Sequence, residues 1–319
     1  MLHVLSPLFL LLLAPPPGTP VRETRLVMGT TAEVEVLGLA DPAPALGAAF
    51  VALQRVDDSM SLFKPSELQQ LNERGETRVS FDLLTVLQAA LDVAAASGGA
   101  FDPTVEPLVR ASGGLGGPRR SLAASERRRL LERVGYLRVH LDSAKAEVRL
   151  EPGTRLDLGG IAKGYAVDLA VGELRRAGAG AGHVDLGTSS LGAFGAPVTV
   201  DVRDPESAKG GPWASFRLEE GFLATSGADQ RGDHIFDPRT GRPARGVLSV
   251  SVVARTGLEA DALSTAVYVL GVTEGMALME RRGAAGLVLL REEGRRVVRT
   301  TPGFGAAYGL VTAAGVAQR

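Results

Sequence analysis

Asp261, Ser264 and Thr265 have the types and spacing of an oxygen-donor site. In a helix, positions i, i+3 and i+4 share one face, so one carboxylate and two hydroxyls would project together. Hard oxygen ligands of this kind suit Mg²⁺ with positions left for water and phosphate. If Asp261 falls in the first helical turn, the helix dipole also favours bound phosphate there. The same residues also fit an ordinary helix start, where aspartate is common as a cap.

A glycine-rich turn, DLGGIAKG (157–164), precedes another predicted helix. Adjacent glycines let a backbone approach a ligand closely, so the Gly160 carbonyl could complete a magnesium shell. Lys163 could neutralise a phosphate, although the same residues also fit a tight turn with a solvated lysine. The turn is not a Walker phosphate loop, because Tyr165 stands where that loop needs lysine.

Two further segments combine turns with polar groups. DHIFDPRTG (233–241) places His234, a side chain that titrates near neutral pH, directly before a turn. AFDPTVEPL (100–108) has two prolines and predicts a rigid loop that could present backbone groups to a flat ligand. Each segment also fits a plain surface turn. No G-x-S-x-G or H-E-x-x-H motif and no dinucleotide fingerprint occurs, which argues against those site classes.

The predicted elements that position these residues alternate between helices and short strands. Residues 26–36 alternate in polarity in their second half, as a half-buried strand does, and a helix follows up to Met60. A second helix runs from about Leu83 to Ala96 with Asp82 as its N-cap. The Asp261 helix is expected to begin near Ala260. Sequential strands at 183–187, 198–203, 214–218, 222–226, 247–253, 286–291 and 296–300 predict an α+β fold with mostly antiparallel sheets.

Composition narrows the function classes. The chain has 319 residues, enough for a sizeable core, and a net charge of −1. No polybasic face is implied, so we expect no nucleic-acid partner. Cysteine is absent, and only four histidines occur, which argues against thiolate or histidine-rich metal sites.

The N-terminus predicts export. An apolar run from Val4 to Ala14 is followed by three prolines, and it is too short to span a bilayer. It fits a signal peptide or N-terminal anchor over residues 1–20, followed by one domain over 21–319. The expected location is the periplasm or the periplasmic side of the inner membrane.

Six motifs occur in the order in which a known family has them. The chain resembles the ApbE family of FAD:protein FMN transferases in MGT (28–30), MSLFKPSELQQLN (60–72), FDPTVEPL (101–108), DLGGIAKGYAVD (157–168), TSGADQRGDHIFDPRTGRP (225–243) and ADALSTAVYVLG (260–271). The resemblance implies two α+β lobes with FAD bound between them. It also implies a Mg²⁺-dependent transfer of FMN to a Thr or Ser hydroxyl of a redox protein, with release of AMP.

The same resemblance implies individual roles. The positions that match FAD contacts are Met28, Phe63, Ala100, Phe101, Asp102, Asp157, Lys163 and Ile235. The positions that match the magnesium shell are the carbonyl of Gly160 with Asp261, Ser264 and Thr265. His234 matches a catalytic base, and Lys163 and Asp261 would act with it.

This chain departs from the family's pattern at several positions. Phe63 stands where tyrosine is frequent, and Glu106 stands where glycine is usual. Asp185, Thr188 and Ser189 replace Asn, Gly and Asp in the stretch 183–195. The changes at Asp185, Thr188 and Ser189 leave open a non-catalytic FAD-binding protein. An FAD pyrophosphatase with water as acceptor would use the same residues as the transferase, and a structural domain that has lost the site is a further alternative.

Overall fold

The computed structural model describes residues 19–187, 189–203, 211–227 and 235–318. The strands in this part of the chain are β1 (Val21–Val27), β2 (Thr30–Leu37), β3 (Glu76–Arg78), β4 (Val139–Asp142), β5 (Glu147–Leu150), β6 (Ala181–Leu186), β7 (Ser190–Phe194), β8 (Val198–Val202), β9 (Ala214–Leu218), β10 (Gly221–Gly227), β11 (Phe236–Asp237), β12 (Arg242–Pro243), β13 (Ser249–Ala254), β14 (Ala285–Glu292), β15 (Arg295–Thr300), β16 (Val311–Thr312) and β17 (Val316–Gln318). The helices are α1 (Ala43–Met60), α2 (Glu67–Arg74), α3 (Phe81–Ala96), α4 (Glu106–Ala111), α5 (Ala124–Leu131), α6 (Ala162–Arg176), α7 (Gly257–Leu270), α8 (Val272–Arg281) and α9 (Phe304–Tyr308), with a 3₁₀ turn at Tyr136–Arg138.

One large sheet organises the fold, in the order β1-β2-β6-β7-β10-β13-β14-β15-β17. Among the described strand pairs only β15 and β17 run parallel, and the others are antiparallel. β1 and β17 are its two edges. The predicted α+β class with mostly antiparallel strands is confirmed.

Alternating side chains send the two faces of this sheet into two different cores. Val250 and Val252 of β13 join the core that includes residues of α1, α3, α6 and α7. Val253 of β13 and Leu223 of β10 point the other way, into a second core. The helices that carry the predicted site therefore lie on one face only.

The second core is covered by a small sheet of order β16-β9-β8 and by α9. Phe216 of β9 and Phe304 of α9 meet edge to face, with ring centroids 5.2 Å apart. Trp213, the single tryptophan, is 1% exposed in this layer. A further sheet of order β3-β5-β4 is formed by strands from the first half of the chain.

The strand predicted from the alternation in the second half of residues 26–36 is β2, and Met28 (φ +52°) and Gly29 (φ +69°) form the two-residue turn that joins it to β1. Two other predicted details are wrong. Ser80, not Asp82, caps α3, since its hydroxyl accepts the Leu83 N–H at 3.3 Å. α7 begins three residues earlier than expected.

The N-terminal segment 1–18, which makes up most of the predicted leader, lies outside the described residues. Within the described residues, no helix combines the length and the apolar character needed to cross a bilayer.

Candidate functional site

Several of the predicted site residues lie at one end of the large sheet. The strand register places the β1–β2 turn beside the β6–β7 turn, because Ala32 pairs with Leu186 and Leu186 pairs with Ser190. Ser190 in turn pairs with Ala224, so the last residues of β10 reach the same end. The N-terminus of α6 and the middle of α7 lie over this end.

Asp261 is anchored where α6 and α7 cross. Its Oδ2 accepts a hydrogen bond of 2.9 Å from the main-chain N–H of Gly164, and the residue is 6% exposed. Oδ1 has no hydrogen-bond partner among the described residues. Because α7 begins at Gly257, Asp261 lies in its second turn, and the expected benefit of a first-turn position is not realised. A buried carboxylate with one free oxygen remains.

Two hydroxyls lie on the same face of α7, as their spacing predicts. Ser264 Oγ donates to the Asp261 carbonyl at 2.8 Å, and it lies 2.8 Å from Ser226 Oγ of β10. Thr265 Oγ1 lies 3.3 Å from the same Ser226 oxygen. Since the Ser264 hydroxyl donates to the helix backbone, it can only accept in its contact with Ser226. The Ser226 hydroxyl is therefore oriented as the donor.

The glycine turn before α6 meets this cluster. A Cβ built on Gly160 would lie 3.1 Å from Thr265 Oγ1 and 3.4 Å from Phe101 Cε2. The Gly160 backbone, the Thr265 hydroxyl and the Phe101 ring are therefore neighbours. Lys163 Nζ donates to the hydroxyl of Ser189 in the β6–β7 turn, which brings its ammonium to the same end of the sheet.

Burial dominates the electrostatics of Asp261. Desolvation raises the pKa of its carboxyl, and the positive charge of Lys163 and the Gly164 hydrogen bond oppose that rise. A cation placed beside Oδ1 would remove the cost of burying the charge. Among the described residues no three His, Asp or Glu side chains cluster, so any metal here depends on hydroxyl and carbonyl oxygens as well.

The 100–104 loop is held by Asp102. This buried carboxylate accepts bonds from the Thr104 N–H (2.8 Å), the Thr104 hydroxyl (2.6 Å) and the Tyr136 N–H (2.7 Å). Asp157 donates its own N–H to the Pro103 carbonyl at 2.8 Å, and its Oδ1 accepts the Gly159 N–H at 2.8 Å. Both aspartates thus shape the backbone around Phe101. Direct contact of either with FAD stays a prediction.

The other predicted FAD contacts are spread around the site. Ala100 is buried, Met28 occupies the β1–β2 turn, and Ile235 is half-buried against the helical core. Phe63 follows α1 and is 76% exposed, which leaves its ring free to stack on a ligand. No contact joins it to the α7 cluster. His234 and Thr188 lie outside the described residues.

Glu106, the departure from the family's glycine, is fully buried at the start of α4. Its Oε1 accepts from Arg110 at 2.5 Å and from Arg155 at 3.0 Å, while Oε2 has no partner. The two arginines balance the buried charge. Glu106 thus joins α4 to the segment that leads into the glycine turn.

A cleft of about 550 Å³ lies elsewhere, along the C-terminal part of α6 and the start of β10. Asp168, Arg175, Arg255 and Tyr308 are among its lining residues, and none of the predicted site residues is. We therefore place the chemistry at the α6–α7 crossing and not in this cleft.

Sequence reasoning missed Ser226 and Ser189 as site residues. Ser226 belongs to the motif at 225–243, and Ser189 was noted only as a departure from the family's aspartate. Their roles depend on strand register, because β10 and the β6–β7 turn reach the helices only once the sheet is assembled. In the sequence, the only signal for Ser226 and Ser189 was their position within the family's motifs.

The chain matches a known family over most of its length. The ApbE family's sequence model matches residues 28–288. A FAD:protein FMN transferase of Rhodobacter capsulatus is 33% identical over 301 residues, covering 87% of this chain and 57% of that protein. The chain therefore spans little more than half of that relative. A FAD:protein FMN transferase of Vibrio cholerae is 28% identical over 316 residues, covering 92% of this chain and 94% of that protein.

Solved structures have the same fold. The ApbE protein from Thermotoga maritima aligns with a TM-score of 0.82 at 27% identity, covering 90% of this chain and 99% of the other. The flavin transferase ApbE from Vibrio cholerae aligns with a TM-score of 0.81 at 26% identity, covering 91% and 99%. Both alignments cover at least 90% of this chain.

Proposed function

Because this chain belongs to the ApbE family, we propose that it transfers the FMN half of FAD to a Thr or Ser hydroxyl of a redox protein and releases AMP. The relatives' shared name, FAD:protein FMN transferase, supports the donor and the class of acceptor. The observation that carries the proposal is the α7 cluster, where a buried carboxylate with a free oxygen lies beside two hydroxyls and a glycine backbone.

These residues fit Mg²⁺. Asp261, Thr265, Ser264 and the Gly160 carbonyl would hold it, because Mg²⁺ prefers oxygen ligands and keeps positions for water and phosphate. When bound, the ion would neutralise charge on the pyrophosphate oxygens. The free Oδ1 of Asp261 is the observation on which this fit rests.

The transfer breaks the phosphoanhydride bond of the FAD pyrophosphate and forms a phosphoester bond to the acceptor. The acceptor oxygen forms a bond to the FMN phosphorus, and the bond from that phosphorus to the bridging oxygen breaks, so that oxygen leaves with AMP. Lys163, at the N-terminus of α6, stabilises the negative charge on these phosphates. His234 is proposed to take the hydroxyl proton of the acceptor.

The acceptor has to compete with water. Water is present at about 55 M, so a protein hydroxyl wins only if its peptide is bound and oriented to reach a high effective molarity. Phe63, exposed and aromatic, is proposed to stack on the flavin and fix the reacting phosphorus relative to Lys163.

The direct test mixes the protein with FAD, Mg²⁺ and an FMN-accepting domain that contains the acceptor threonine. A flavin-fluorescent band on a denaturing gel is the expected result. Its threonine-to-alanine variant serves as the control and should stay dark. A dark wild-type acceptor would contradict the proposal.

The same mixture without acceptor separates the alternatives. Rapid release of FMN and AMP would identify an FAD pyrophosphatase. FAD that binds and stays whole with Mg²⁺ and acceptor present would identify a flavin carrier.

We also propose that the protein acts outside the cytoplasm, in the periplasm or at the periplasmic side of the inner membrane. The apolar run from Val4 to Ala14 supports this location. Fractionation of cells that express the full chain, with and without residues 1–20, tests it. Recovery of the full chain in the cytoplasm would contradict it.

A further inference from the structure

The backbones of α6 and α7 touch where the two helices cross. A Cβ on Gly164 would lie 1.9 Å from the Gly257 carbonyl oxygen, and a Cβ on Gly257 would lie 2.4 Å from the Gly164 carbonyl oxygen. Neither glycine has a positive φ, so the close approach is what requires glycine. The helices are therefore held at a fixed separation, with little room for adjustment.

Asp168, one turn after Gly164, faces the start of α7. Its Oδ1 accepts the Gly257 N–H at 2.5 Å, and its Oδ2 accepts the Leu258 N–H at 2.9 Å. A helix leaves its first amide N–H groups without partners, and Asp168 satisfies two of them from another helix. The Thr256 hydroxyl satisfies a third, from Glu259, at 3.2 Å.

The two helices thus exchange carboxylates. Asp168 of α6 binds the first turn of α7, and Asp261 of α7 binds the Gly164 N–H of α6. Both contacts lie within one helical turn of the glycine crossing. Rotation or sliding of α7 would break the Asp168 bonds and move Asp261 at the same time.

We propose that Asp168 is a positioning residue for the transfer reaction, fixing the face of α7 that carries Asp261, Ser264 and Thr265 against the N-terminal part of α6. This inference rests on the function proposed above. Asp168 does not touch the reacting groups. Its effect is transmitted through the first turn of α7, and a displacement of about 1 Å at such a site can cost about 100-fold in rate.

The test compares Asp168→Asn with Asp82→Asn. Asp82 accepts the Tyr165 hydroxyl at 2.7 Å and pairs with Arg55, so it also links α6 to other helices, but no hydrogen bond or ion pair joins it to α7. The asparagine side chain at position 168 keeps one acceptor oxygen. Its NH2 group replaces the other oxygen, so that two donors face each other at one of the two backbone N–H groups of α7. Asp82→Asn controls for a general loss of stability.

Three measurements decide the outcome. Hydrogen–deuterium exchange over residues 256–265 should speed up in Asp168→Asn only. Calorimetry with Mg²⁺ on FAD-free protein should show at least ten-fold weaker binding, and transfer kcat should fall at least ten-fold with the KM for FAD within about three-fold. The proposal would be overturned if Asp168→Asn had the same exchange rates and Mg²⁺ affinity as the wild type. Equal changes in Asp168→Asn and Asp82→Asn would also overturn it.

Leu258→Pro provides a second route if Asp168→Asn does not fold. Proline is tolerated in the first turn of a helix, and here it removes one N–H donor without altering Asp168. The emission of buried Trp213, in the other layer, reports whether the variant is folded. A folded Leu258→Pro with wild-type Mg²⁺ affinity would overturn the proposal. Absence of Mg²⁺ binding or transfer in the wild type would instead contradict the proposed function, and the exchange data would still decide the role of Asp168.

Discussion

The Gly164 N–H donates to Oδ2 of Asp261 across the α6–α7 crossing, at 2.9 Å. This bond determines which carboxylate oxygen is held by the protein, and it leaves Oδ1 without a hydrogen-bond partner among the described residues. The main chain at Gly164 thereby orients the carboxylate of Asp261, although the two residues are 97 positions apart.

Asp261→Asn should remove transfer while the fold persists. The amide keeps an oxygen to accept the Gly164 N–H but loses the charge that attracts Mg²⁺, so we expect at least a 100-fold loss of rate, about 2.7 kcal/mol. Since burial raises the pKa of the Asp261 carboxyl, the charged form is unfavourable in the folded protein. Without Mg²⁺ at pH 8 the variant should be at least as stable as the wild type in urea unfolding. Transfer within a few-fold of the wild type would remove Asp261 from the mechanism.

Ser226→Ala and Thr225→Val form a matched pair on opposite faces of β10. Ser226 contacts Ser264 and Thr265, whereas the Thr225 hydroxyl lies 2.9 Å from Ser251 Oγ on the other face. Each change should lower the free energy of unfolding by about 1 kcal/mol. Only Ser226→Ala should weaken Mg²⁺ binding, by about three- to ten-fold, as measured by calorimetry. Equal Mg²⁺ affinities in the two variants would show that Ser226 plays no part in the site.

Gly164→Ala and Gly172→Ala test the helix crossing. The new methyl at position 164 would overlap the Gly257 carbonyl oxygen, so we expect a loss of about 3 kcal/mol or more in urea unfolding. At position 172 the nearest atom is Arg176 Nη2 at 3.5 Å, an ordinary contact. Gly172→Ala should therefore stabilise α6 by up to about 1 kcal/mol through helix propensity. Similar stabilities for the two variants would contradict the close backbone contact.

Stability should depend on pH through Asp168. Burial, with the charge of Asp261 adding to it, raises the pKa of the Asp168 carboxyl from its usual 3.8 to about 6. The folded state then binds the proton more tightly than the unfolded state, so the free energy of unfolding falls as the pH rises from about 4 to about 6. The stability difference between the wild type and Asp168→Asn should shrink over this range by at most about 3 kcal/mol. Urea unfolding at several pH values measures it, and a constant difference would contradict the shift.

Local patterns predicted the parts of the site that lie on one element. The spacing of Asp261, Ser264 and Thr265 was enough to place them on one helical face, because helical periodicity is a local property. The start of α7 was misplaced, since Gly257 at its first position is a poor helix former in isolation. Gly257 is required there by the α6 backbone, which only the tertiary structure brings close.

Contacts between elements that are distant in the chain could not be predicted from the sequence. Ser226, Ser189 and Asp168 gain their roles from strand register and from helix crossing, neither of which a single sequence states. The alternation within residues 26–36 likewise predicted β2 but not the turn before it, because Met28 adopts a left-handed conformation that is unusual for its type.

The two edges of the large sheet have a consequence for the behaviour of the protein in solution. One edge, β1, carries Arg22, Glu23 and Arg25, and the other, β17, is only three residues long. Charged and short edge strands discourage other chains from adding strands to a sheet. Even at high concentration, self-association through main-chain pairing at either border should be disfavoured.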